Sequence, residues 1–274
     1  EIHSGDWSSD VCSSDLFFGD NVTQITFNSQ IDSLPAWSPD GTQMAWTYDT
    51  ATMGTEILVR PANGGAATHL SNNPADDEHP TWSPDGRWIA FATDRQGDWD
   101  IYKMLVDGSD QTDLISDGGG GARDDVEPDW APDDSEILFM SNRTGPHRLY
   151  KMNADGTSQT ALGMNGRNPA WHPFSKKLAF RQWVNGTLHG EIYTARSDGT
   201  ERDLFISSSA GDENPCYSSD GRYLFFGSGR DGSHDIWAKQ TSFPYRLHHI
   251  TDSGVPDQEA DLGSPTVQIS RVLI

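Results

Sequence analysis

The run Ser-Pro-Asp-Gly follows a tryptophan twice, at Ser38-Pro39-Asp40-Gly41 and at Ser83-Pro84-Asp85-Gly86. Degenerate copies stand at Trp130-Ala131-Pro132-Asp133, Trp171-His172-Pro173 and Tyr217-Ser218-Ser219-Asp220-Gly221. The aromatic residues Trp37, Trp82, Trp130, Trp171 and Tyr217 are therefore 45, 48, 41 and 46 residues apart. A period in the forties with strand-like content marks a repeat unit that must stack on its own copies. No other feature narrows the fold as far.

The second repeat is the most regular. Pro80-Thr81-Trp82 is extended, and Pro84-Asp85-Gly86 makes a turn in which Pro presets φ and Gly takes the conformation other residues avoid. Arg87 to Ala92 is a second strand, Asp94 to Asp98 a second turn and Asp100 to Met104 a third strand. Asp107-Gly108 then signals a hairpin into the short polar run Gln111 to Leu114. Four short antiparallel strands of this kind form one blade of a β-propeller. The aromatic columns are accordingly expected in the core between blades.

Five copies are complete. A sixth is expected to be split between the termini and incomplete, with Asp257 to Leu262 and Arg271 to Ile274 as its first two strands and Val22 to Phe27 as its fourth. The expectation is an all-β, six-bladed propeller spanning residues 17–274. Residues 1–16 fit none of the columns, and Asp6 to Leu16 reads as the translation of a common sequencing-library adapter. They are set aside as an artefactual extension. The native start and any signal peptide are then not visible, and the chain is expected to be a fragment of a metagenomic open reading frame.

Lys and Arg number 19 against 41 Asp and Glu, a formal net charge of −22. That balance argues against nucleic acid, which needs a basic footprint, and against anionic membrane surfaces. It favours a basic partner or a cation. Of two cysteines, Cys12 lies in the suspect segment and Cys216 reads as a small buried residue in a strand, so no disulfide framework is expected. No nucleophile elbow, zinc-protease helix or phosphate-binding loop occurs.

The column that offers chemistry precedes each inner strand: Asp32, Asp77, Asp125, Asp212 and Asp257, followed closely by Glu78, Glu127, Glu213 and Glu259. In a propeller these positions ring one mouth of the central channel. Such a ring suits a divalent cation through oxygen ligands, or an ammonium or guanidinium group. The competing reading is that each Asp caps its own turn. His79, beside Glu78, is the one histidine placed at the mouth; the adjacent pair His248-His249 points to opposite faces of a strand. No catalytic residue and no organic cofactor is implied.

The order Pro-x-Trp-Ser-Pro-Asp-Gly, Ile-Ala-Phe, Asp-Arg, Asp-Ile-Tyr, Asp-Gly resembles the TolB-like propeller family over about Asn21 to Ile274. The resemblance implies a periplasmic or secreted binding module with a protein or peptide partner, as the family's namesake binds the lipoprotein Pal and other Tol proteins. A monomer without membrane insertion is expected. Two enzyme families carry similar repeats. The chain also resembles the propeller of prolyl oligopeptidase family peptidases, whose catalytic domain would lie elsewhere, and the oligogalacturonate lyases, which bind metal on a channel face.

Overall fold

The computed structural model describes residues 9–10, 22–24, 26, 30–52, 54–115, 123–183, 189–232, 234–251 and 271–273. Among them, five four-stranded antiparallel sheets follow one another along the chain, each a simple meander. The first strands are Asp32–Trp37, Asp77–Trp82, Asp125–Trp130, Arg167–Trp171 and Asp212–Tyr217. The second strands are Gln43–Asp49, Trp88–Thr93, Glu136–Ser141, Lys177–Trp183 and Tyr223–Ser228. Third strands run over Thr55–Pro61, Asp100–Leu105, Arg148–Asn153, Gly190–Arg196 and Asp235–Gln240. The short fourth strands are Thr68–His69, Thr112–Asp113, Thr160–Asn165, Asp203–Ile206 and Leu247–His249.

The turns form where their chemistry requires. In the first Ser-Pro-Asp-Gly turn, the Ser38 hydroxyl donates to Asp40 Oδ1 at 2.7 Å and accepts from Gln43 N at 2.9 Å, while Gly41 has a φ of 66°. The second copy repeats this with Ser83, Asp85 and Gly86, whose φ is 70°. These hydrogen bonds satisfy backbone groups that the ladder leaves over at each corner.

Successive strand residues point to opposite sides, so each blade shows one face to each neighbour. Ala45, Ile57 and Val59 of the first blade meet Trp82, Ile89, Phe91 and Tyr102 of the second. Leu138, Leu149 and Leu162 of the third meet Trp171, Phe180 and Ala195 of the fourth in the same way. Trp37, Trp82, Trp130, Trp171 and Tyr217 are all buried in these seams. Each such side chain stabilises the fold by about 1.5–3 kcal/mol relative to exposure.

The blade count differs from the expectation: the described residues form five blades, not six, and Asp257 to Leu262, expected as the first strand of a sixth, lies outside them. The fifth blade closes on the first through one apolar cluster, in which Phe225, Ile236, Ala238 and Ile250 join Trp37, Met44, Trp46 and Leu58. Phe225 occupies the second-strand position held by Ala45, Ala90, Leu138 and Ala179 in the other blades. The terminal segments instead form a three-stranded sheet in which Arg271–Leu273 pairs antiparallel with Ser9–Asp10 and parallel with Val22–Gln24. The second and fourth strands of a meander run the same way, so without a third between them they pair in parallel.

Candidate functional site

Every first strand carries the same irregularity. Its pairing with the second strand slips between Ser33 and Ala36, Glu78 and Thr81, Val126 and Asp129, Arg167 and Ala170, and Glu213 and Cys216. Within each slip one residue precedes a proline and has a left-handed backbone. These are Leu34 (φ 53°), His79 (57°), Glu127 (57°), Asn168 (48°) and Asn214 (49°). Proline cannot donate to the ladder and disfavours the right-handed region for the residue before it, and a bulge meets both restrictions. A non-glycine residue held this way costs about 1–3 kcal/mol. The fold carries that strain five times at one level.

The five bulged residues and the two that follow each of them enclose a cavity of about 160 Å³, built from all five first strands. Its lining is Leu34-Pro35-Ala36, His79-Pro80-Thr81, Glu127-Pro128-Asp129, Asn168-Pro169-Ala170 and Asn214-Pro215-Cys216. The first strands therefore line the axis. Glu127 is buried, accepts from Asn168 N at 2.6 Å and pairs with Arg167 Nε at 3.3 Å. Burial raises its pKa, opposed by the Arg167 charge and that amide. His79 Nδ1 is buried, lies 3.7 Å from the Glu78 carboxylate, and has no hydrogen-bond partner among the described residues. Burial, and then the charge of Arg167, lowers the His79 pKa to about 4, so the ring is neutral at pH 7.

The mouth above the cavity is electrostatically uneven. On the side of the fourth and fifth blades, Arg181 Nη1 pairs with Glu213 Oε2 at 3.2 Å, and His234 Nδ1 lies 3.5 Å from Oε1 of the same carboxylate. On the side of the second blade, Glu78 stands near Asp76 and Asp94, and its pKa is raised first by burial and then by the Asp76 charge. Thr55 Oγ1 reaches Glu78 only at 3.5 Å, while Asp76 Oδ1 accepts from Thr55 N at 2.7 Å. Among the described residues, no Lys or Arg forms an ion pair with Asp76, Glu78 or Asp94. This is the part of the mouth that would gain from a cation.

The residues singled out in the sequence fall into separate groups. Asp32, Asp77, Asp125 and Asp212 open their strands but are buried, with side chains turned toward partners within their own blades. Trp46 Nε1 donates to Asp32 Oδ1 at 2.7 Å. Arg95 pairs with Asp77 at 3.0 Å, Arg143 with Asp125 at 2.9 Å, and Arg230 with Asp212. Each of these arginines also donates from Nε to a hydroxyl, Thr93, Ser141 or Ser228. Glu78, His79, Glu127 and Glu213 are brought to the channel, whereas Asp257 and Glu259 lie outside the described residues. Leu34, Asn168, Asn214 and Arg167 were not anticipated. The proline that follows the first three, in register in all five repeats, is the signal that marks them.

A ring of five meander sheets around a channel lined by their first strands defines a β-propeller. The comparisons narrow the class. The profile of the TolB beta propeller domain matches residues 19–123. TolB from Acinetobacter baumannii superposes with a TM-score of 0.72 at 16% identity, covering 91% of this chain and 58% of that one. A candidate TolB from Agrobacterium tumefaciens gives 0.62 at 23% identity over 72% of this chain and 74% of that one. A chain of a nidogen–laminin complex gives 0.66 at 12% identity, covering 89% and 85%. Oligogalacturonate lyase in complex with manganese and a prolyl endopeptidase share the fold at 13% and 12% identity. Residues 19–123 thus match the TolB propeller domain, and the chain shares its β-propeller fold with the TolB structures. It spans less than two thirds of the Acinetobacter protein.

Proposed function

We propose that this propeller is a non-catalytic binding module that takes a basic side chain of a protein or peptide partner at the channel mouth. The reading rests above all on Glu78, a carboxylate held beside Asp76 and Asp94 with no Lys or Arg paired to the three among the described residues. A lysine or arginine docked there would offset the burial, and then the Asp76 repulsion, that raise the Glu78 pKa, and would form charge-assisted hydrogen bonds. The neutral His79 ring and the proline-lined cavity beneath offer apolar contact to the stem of the same side chain. The chain's overall charge of −22 would draw such a partner in. A periplasmic or secreted setting agrees with the TolB likeness, and no helix among the described residues is long and apolar enough to cross a membrane.

The test is photo-crosslinking from position 74, exposed two residues before Asp76, and, as the control, from Asp107 on a third-to-fourth-strand hairpin. Capture of one partner from position 74 alone, abolished by Glu78→Lys, is the expected result. Equal capture from both positions would sink the proposal. So would turnover of oligogalacturonate in the presence of manganese, which would make the chain a lyase.

A further inference from the structure

We propose that the fifth blade carries a binding site for a divalent first-row transition metal, formed by Asp231, Asp235 and His249. One ligand atom from each lies within 4.8 Å of the other two. His249 Nε2 is 3.1 Å from Asp235 Oδ2 and 3.3 Å from Asp231 Oδ2. One ring nitrogen carries at most one proton, so it cannot make two full hydrogen bonds to two carboxylates. The spacing does suit a shared cation. With bonds of about 2.1 Å, neighbouring ligand atoms stand about 3.0 Å apart around an octahedral ion and about 3.4 Å apart around a tetrahedral one.

The repeat supplies its own controls. In the second blade the equivalent positions are Gln96, Asp100 and Asp113, and the Gln96 amide donates to Asp113 Oδ2 at 2.8 Å. That arrangement closes on itself, because a donor faces an acceptor. In the first blade His69 Nδ1 meets Glu56 Oε2 at 2.8 Å, a simple carboxylate–histidine pair. Among the described residues, only the fifth blade puts a second carboxylate on the same ring nitrogen.

The site is also held in place. Asp235 is fully buried at the start of the third strand, and the His249 ring stacks on Trp237 with centroids 4.1 Å apart and planes 6° apart. Arg230 stands over the other residue of this stack, Trp237, and pairs with Asp212. Asp231 lies exposed in the turn, which leaves room for water ligands. One imidazole and two carboxylates select an ion such as Zn²⁺ or Mn²⁺; Ca²⁺ takes more ligands, all of them oxygen.

The probes are Zn²⁺, followed by calorimetry, and Co²⁺, followed by visible absorbance, added to chain stripped with EDTA. Saturable binding is expected, weakened at least about 10-fold by Asp231→Asn and by His249→Gln. Asp231→Asn should leave the unfolding midpoint of the metal-free chain unchanged, which separates a lost ligand from a lost fold. Asp113→Asn in the second blade should leave metal binding intact. The proposal is overturned if the natural chain binds no metal up to about 1 mM. It fails equally if binding survives both ligand substitutions, or if Asp113→Asn weakens it as much.

Discussion

His79 and Asp77 are two residues apart, yet the fold treats them in opposite ways. Asp77 is sealed into its blade by Arg95, whose guanidinium also lies 4.5 Å from the Tyr102 ring centre. His79 is turned by its left-handed backbone into the channel and kept neutral there. Its pKa of about 4 in the folded chain compares with about 6.5 when unfolded. Between those values the unfolded chain binds a proton that the folded chain refuses. Stability should therefore fall as pH drops from 6.5 toward 4, by up to about 3 kcal/mol, and not change on this account above 6.5. Urea unfolding of the natural chain and of His79→Gln should show their stability difference shifting by that amount across the window. A difference constant with pH would mean that the ring is not buried neutral.

At the scale of the element, the hairpin between third and fourth strands shows why its glycine recurs. Gly108, Gly156 and Gly199 have φ values of 86°, 86° and 84°. A Cβ on Gly156 would lie 2.4 Å from Leu114 O of the preceding blade, and one on Gly199 2.3 Å from Leu162 O. Gly232, with a φ of 104°, has nothing within 4 Å of that point. Gly232→Ala should thus cost only the backbone term of about 1–2 kcal/mol. Gly156→Ala adds a clash with main chain and should cost clearly more, about 3 kcal/mol or beyond. Thermal unfolding of the two variants decides it, and equal losses would mean that the blades are not in such close contact. Asp107, Asp155 and Asp198 in the same hairpins have lowered pKa values, chiefly through the hydroxyls of Ser109, Thr157 and Thr200.

For the whole molecule the decisive contact is the closing seam. Phe225 is 3% exposed and packs with the cluster that includes Trp46 and Leu58 of the first blade. Phe225→Ala should cost about 3–5 kcal/mol, because the ring would close over a cavity. Urea denaturation is the direct check. A loss below about 1 kcal/mol would mean that the seam is sealed by other groups.

Much of this was legible in one dimension. The spacing of Trp37, Trp82, Trp130, Trp171 and Tyr217 determined the propeller, and the turn residues determined where each strand ends, because both are local or strictly periodic properties. Arg95 and Arg143 pair with Asp77 and Asp125, 18 residues away, and these partners are reached only through the strand register. For the same reason the Asp column was read as a mouth, whereas the bulge turns the residue before each proline to the axis instead. Tertiary structure alone decided the number of blades, since ring closure depends on the fit between the last face and the first. It also brought Asp231, Asp235 and His249 together from a turn and two strands, a meeting that only the pairing of third and fourth strands can produce.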